Sequence, residues 1–212
     1  MVCQSLAFQF TVYKWVRFHR LHHQYSDTAV DPHDASRGFF YSHIGWLMVR
    51  RPGGTLAPAA MEDIVANPVL NFQKRHANWL LPTTAFILPT IIPLLWGEDL
   101  SITWHINLLR YIINLNMACS VNSFSHMWGY RPYDSRLKAR QSWPIILLTL
   151  GEGYHNYHHA FPYDYRASEK GWPNMMANFV DVCAKVGLAY GLREASEESV
   201  RIKRETRGDG SK

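Results

Sequence analysis

Eleven histidines in 212 residues include two triplets of identical spacing. His19, His22 and His23 form H-R-L-H-H, and His155, His158 and His159 form H-N-Y-H-H. On a helix, positions i, i+3 and i+4 share a face, so each triplet is expected to aim three imidazoles the same way. Asn122 and His126 add an amide and an imidazole at i and i+4. Imidazole nitrogen suits zinc, copper, iron and nickel alike, so ligand type alone leaves the metal open. A closed structural zinc site often recruits cysteine, and none of Cys3, Cys119 and Cys183 lies beside a triplet. Seven imidazoles and an amide are too many for one ion, which makes a pair of ions the economical reading. Redox-active iron ligated by nitrogen at a lipid boundary suits activation of dioxygen against an inert carbon–hydrogen bond, with the protein supplying position and exclusion of water.

The elements that must position these groups are helical, and part of them reads as membrane. From Trp79 to Trp96, eighteen residues carry no formal charge. At about 1.5 Å per residue that run roughly matches a bilayer core of about 30 Å. It holds Pro82, Pro89 and Pro93, which membrane helices tolerate better than soluble ones. After the turn Gly97-Glu98-Asp99-Leu100-Ser101, the stretch Ile102 to Phe124 is again mostly apolar but carries His105, Asn107, Arg110, Asn114, Asn116 and Asn122. Polar groups so frequent are costly against lipid and are expected to face protein or a cavity. Lys74, Arg75 and His76 precede this hairpin and Arg131, Arg136, Lys138 and Arg140 follow it, while its tip carries only acids. The positive-inside rule then puts both flanks, the histidine clusters and the C-terminus in the cytosol. The expected fold class is all-α: a membrane helical hairpin over about 79–124, with a cytosolic helical cap from 13–75 and 125–192 carrying the histidine-rich site. Met1 to Phe18 reads as one helix, Gly171 to Tyr190 as an amphipathic helix, and 193–212 as a charged, mobile tail.

A net charge of +5 points to anionic lipid or a phosphate-bearing substrate. No zinc finger, RNA-binding sheet motif or basic zipper is present, so nucleic acid is not an expected partner. Three widely separated cysteines argue for reduced thiols. The start of the chain lacks the pattern of a cleavable signal peptide, so membrane insertion is expected to rely on internal segments.

Three stretches carry a resemblance. WVRFHRLHHQYSDTAVDPHDASRGFFYSHIGWLMVRRP, from Trp15 to Pro52, resembles the second histidine box of the membrane-bound acyl-CoA desaturases of the delta-9, stearoyl-CoA-like type. NSFSHMWGYRPYD, from Asn122 to Asp134, is similar to that family's Asn-x-x-x-His segment, and GEGYHNYHHAFPYDYRASE, from Gly151 to Glu169, to its third box. The closing Gly-Asp-Gly-Ser is also like that of animal members, and the motifs stand in family order along essentially the whole chain. The resemblance implies a multi-pass enzyme of the endoplasmic reticulum membrane with a cytosolic site of two Fe ions, acting on a fatty acyl-CoA with O2. It implies electrons from cytochrome b5, fed by an NADH-dependent reductase. His19, His22, His23, His126, His155, His158 and His159 would bind iron directly and Asn122 through a water. Arg17, Arg50 and Arg51 match basic positions that meet the coenzyme A moiety, where arginine suits phosphate through forked hydrogen bonds.

The chain also departs from the family pattern. The first box, H-x-x-x-x-H, is absent from the 212 residues, and by family spacing it and two further membrane helices would lie upstream of His19. Because metal ligands act as a set, the chain as written is expected to leave the di-iron site incomplete and to have little or no activity, which a lipid assay checks. Phe10, Lys14 and Phe18 replace a common asparagine, an acid and an aspartate, departures near the expected coenzyme-binding face that fit either a divergent substrate preference or relaxed constraint on a dying copy. The alternatives weighed are a di-iron membrane hydroxylase and a non-catalytic, desaturase-like interaction protein.

Overall fold

The computed structural model describes residues 1–49 and 59–211; Arg50 and Arg51 lie outside them. Among the described residues the α-helices are α1 (Val2–Ala7), α2 (Val12–Tyr25), α3 (Trp46–Met48), α4 (Glu62–Ala66), α5 (Pro68–Arg75), α6 (Ala77–Pro82), α7 (Leu88–Ile91), α8 (Leu100–Met127), α9 (Trp143–Leu148), α10 (His155–Ala160), α11 (Met175–Lys185) and α12 (Glu197–Arg207). Extended pairing among them is limited to isolated bridges at Tyr130, Gln141 and Tyr154. The all-α expectation therefore holds. The chain divides into two compact units, Met1–Asp34 with Leu47–Asn116, and Ala35–Trp46 with Met117–Lys212.

In the first unit, the single helix expected over Met1 to Phe18 is broken. Phe8 (φ 54°) and Phe10 (φ 67°) adopt left-handed backbone, a conformation that ends a helix. Thr11 then starts α2 afresh, its side chain accepting from the Lys14 N–H at 3.2 Å. Gln73, fully buried on α5, ties the break down: its Oε1 accepts from the Val12 N–H at 2.9 Å and its Nε2 donates to Ser5 Oγ at 2.8 Å.

Of the two arms of the expected membrane hairpin, one, Ala77–Trp96, is long and apolar enough to cross a bilayer by length and composition. It is not a uniform helix: Pro82 is followed by a π turn over Thr83–Ile87, and the last turn, Ile92–Trp96, is 3-10. Pro89 has no N–H to offer the Ala85 carbonyl one turn earlier. The second arm fills the gap, because Asn107 Nδ2 and Arg110 Nη2 donate to Ala85 O at 3.2 and 2.8 Å. Arg110 also donates from Nε to Asn107 Oδ1 at 2.9 Å and from Nη1 to Leu6 O at 3.2 Å. Asn107 and Arg110 thus face protein, as expected of polar groups against lipid, whereas His105, Asn114 and Asn116 are exposed, and His105 and Asn116 bond to carbonyls of their own helix, at Ser101 and Ile112. That arm, α8, is continuous for 28 residues and runs past Phe124 to Met127. Asp99 Oδ1 caps its start, accepting from the Ser101 and Ile102 N–H groups at 2.8 and 3.1 Å.

The second unit is built on Tyr133, Ile146, Tyr154, Tyr157, Ala160, Phe161, Ala195 and Val200. The expected mobile tail is a correction: 197–207 is helix α12. Ser196 caps it, Glu197 and Glu198 sit at its positive end and Arg204 and Arg207 at its negative end, which suits the helix dipole. Val200 enters the core, and Lys203 Nζ donates to Ala160 O at 2.8 Å. Asp209 closes the end, accepting from the Arg131 N–H at 2.7 Å and returning its own N–H to Arg131 O at 3.1 Å. The amphipathic helix expected over 171–190 is shorter, spanning Met175–Lys185 after an Asn174 cap.

Candidate metal centre

In each triplet the i and i+4 histidines meet and the i+3 histidine stands off. On α2, His19 Nε2 and His23 Nε2 lie 3.1 Å apart, and Trp15 stacks on His19 at 4.7 Å. His22 turns instead to Asp31, with Nδ1 2.8 Å from Oδ2. His22 and Asp31 are both buried, and Asp31 has no exposed surface at all. The Asp27 and His33 N–H groups donate to Asp31 at 2.8 and 3.1 Å, fixing the carboxylate. An ionised carboxylate only accepts hydrogen bonds, so beside an ionised Asp31 the His22 Nδ1 is the donor. A buried acid on the second nitrogen is the usual support of a metal-bound imidazole.

In the second unit, His155 Nε2 lies 2.9 Å from His126 Nε2 and 3.1 Å from His159 Nε2. The three ligand atoms all fall within 4.8 Å of one another. His158 lies apart, its ring 5.9 Å from that of His155 and 5.7 Å from that of His159. Burial pushes its pKa down to about 4, which keeps the imidazole in the neutral, ligating form. Asn156, between the ligands and fully buried, anchors α10: its Oδ1 accepts from the Tyr133 and Asp134 N–H groups at 2.9 and 3.2 Å. Its Nδ2 donates to Asp134 O and Ala139 O at 3.1 and 2.9 Å.

The other expected site residues are less engaged. Asn122 is half-buried one turn before His126, and its side chain makes no hydrogen bond among the described residues. Beside it, Ser123 Oγ holds His43 Nδ1 at 2.9 Å, an imidazole that lies outside the triplets. Arg17 is half-buried on α2. Phe10, Lys14 and Phe18 pack on one another, with the Lys14 ammonium 4.1 and 5.5 Å from the two ring centres.

Comparison with known proteins decides the relationship. The fatty acid desaturase family model matches residues 1–191. The chain belongs to the fatty acid desaturase family. It is 51% identical to a Bombyx mori (11Z)-hexadec-11-enoyl-CoA conjugase, with all of this chain and 66% of the relative covered. It is 49% identical to a Trichoplusia ni acyl-CoA Delta(11) desaturase and 44% identical to a Mesocricetus auratus stearoyl-CoA desaturase. Those alignments again span the whole chain, but only 62% and 61% of the relatives. The chain thus spans roughly three-fifths to two-thirds of the length of the desaturases it matches.

The donor set fits the metal centre that such a family suggests. His126, His155 and His159 bring imidazole nitrogens within 4.8 Å of one another, and among the described residues no cysteine joins these clusters. Sequence reasoning named the imidazoles; it passed over the roles of Asp31 and Asn156. Asp31 had a signal, since a carboxylate eight residues beyond the histidine triplet is a natural partner for a ligand's second nitrogen. Asn156 had none, because what it binds lies 17 to 23 residues away in sequence.

Proposed function

We propose that this protein is a fatty acyl-CoA desaturase of the endoplasmic reticulum membrane. The reaction is the insertion of a cis double bond into a saturated acyl-CoA: two hydrogens leave adjacent methylenes, O2 takes them together with two electrons and two protons, and two waters form. The observation that carries this reading is the convergence of His126, His155 and His159 in a chain whose family match covers it almost throughout.

His19, His22, His23, His126, His155, His158 and His159 would hold two irons, with Asn122 acting through a water. When bound, the irons supply the reduction of dioxygen and the oxidising power to remove hydrogen from an unactivated methylene. The chain's own groups do the positioning. Asp31 fixes the tautomer and ring orientation of His22 through Nδ1. Asn156 holds α10 so that His155 and His159 keep their approach to His126. Arg17, with Arg50 and Arg51, would hold the phosphates of coenzyme A. Electrons would come from cytochrome b5 and its NADH-dependent reductase on the cytosolic side, which the basic flanks of the hairpin favour.

The test is product analysis in microsomes containing the protein, given saturated acyl-CoA, NADH and O2. An alkene that disappears in the His155→Ala variant is expected from the native protein in its microsomes, whereas the 212 residues by themselves, which hold no H-x-x-x-x-H box, are expected to give little or none. An alcohol would make the protein a hydroxylase, and no product from a preparation carrying two irons per chain would overturn the reading.

A further inference from the structure

Helix α11 turns its apolar side outward. Met175, Phe179, Val182 and Val186 follow at i, i+4, i+7 and i+11, forming one stripe of the kind that in a soluble domain faces the core. Here Phe179 is 52% exposed, Val182 57% and Val186 65%, whereas Ala177 on the opposite side is 8% exposed. The helix's one acid is on the inner side, where Asp181 accepts from the Tyr165 hydroxyl at 2.6 Å. The apolar surface continues beyond the helix, because the Met175 N–H donates to Leu150 O at 3.0 Å and brings up the end of α9. There Leu147 and Leu148 are both exposed.

We propose that this face of α9 and α11 lies in the interfacial layer of a lipid bilayer. Its charge pattern fits lipid headgroups rather than water. No charge interrupts the stripe, the acid is turned in, and Lys185 in the last turn can extend its stem along the apolar surface to reach phosphate. Aromatic side chains mark both ends, as at membrane interfaces: Trp143 and Trp172 stack at 5.5 Å beside α9, and Tyr190 is exposed just past α11. The inference rests on the surface alone and is independent of the chemistry at the histidines.

The test uses the full chain in phosphatidylcholine–phosphatidylserine vesicles, with Cys3, Cys119 and Cys183 replaced by alanine. An environment-sensitive fluorophore is attached through Phe179→Cys, or through Val186→Cys should the first variant not fold, and through Glu205→Cys on α12 as the polar control. The expected result is blue-shifted emission at 179 or 186, quenched by lipids brominated in the upper acyl chain and protected from aqueous iodide, with the reverse at 205. Iodide quenching at 179 or 186 equal to that at 205 would show the face open to water and overturn the proposal. Protection from both quenchers would also overturn it, since the stripe would then be covered by protein.

Discussion

The two histidine triplets have the same spacing and are held in opposite ways. The first sits on α2, fourteen residues long with its own cap. The residues between its ligands do little for the site: Arg20 pairs with Asp63 at the surface, and Leu21 is core. The stand-off histidine is fixed by an acid nine positions away in the same segment. The second triplet sits on α10, only six residues long. A helix so short has little stability of its own, and both residues between its ligands are buried anchors. Asn156 knits α10 to the 133–139 loop, and Tyr157 donates to Asp164 at 2.8 Å. A long helix presents ligands by its own periodicity and needs only local support; a short one must be clamped from outside.

Changes at the clamp should therefore cost most. Asn156→Leu strands four buried backbone groups and is expected to destabilise the second unit by about 3–5 kcal/mol. Loss of the cooperative thermal transition in detergent would show this, and an unchanged midpoint would mean that α10 holds itself. Acid should reach the same clamp. Burial raises the Asp164 carboxyl, but Arg166, the Ala195 N–H and Tyr157 outweigh it and hold it below its ordinary 3.8. A depressed folded pKa contributes stability that is fully present above pH 3.8 and fades as pH falls through the folded value. Unfolding followed from pH 6 downward should accordingly begin below about pH 4, and Asp164→Asn should flatten that limb.

At the first triplet, Asp31→Asn is expected to lower metal affinity about 10- to 100-fold while leaving the fold intact. Competition against a chelator reads this directly, and equal affinity would show that His22 needs no carboxylate. In the hairpin, Asn107→Leu should cost about 1 kcal/mol, because Arg110 still serves Ala85 O. The smallest effect belongs to Arg20→Ala, below about 1 kcal/mol for an exposed pair, despite its place inside the H-x-x-H-H motif.

Much of this was legible in the residues. The helical class, the apolar arm and the clustering of histidines follow from charge-free length and from i, i+3, i+4 spacing. The splitting of each triplet was not legible, because which way His22 or His158 turns depends on partners such as Asp31 that periodicity does not reveal. The tail was misread because its charges drew attention from the Ser196 cap, the ordered acids and bases, and the apolar Val200. The break before α2 lies in the left-handed backbone of Phe8 and Phe10, for which those residue types carry no signal. The coupling of Phe10, Lys14 and Phe18 was hidden too: each reads as a separate departure from the family until an ammonium is seen over two rings.

The most direct measurement is metal content and Co(II) absorption of the purified protein beside its His126→Ala and His155→Ala variants. The account expects bound metal with a nitrogen-ligand spectrum in the parent. Metal and spectrum should both be lost in each variant, while far-ultraviolet circular dichroism stays the same. Metal retained by both variants, or none bound by the parent, would contradict the reading of these imidazoles as one centre.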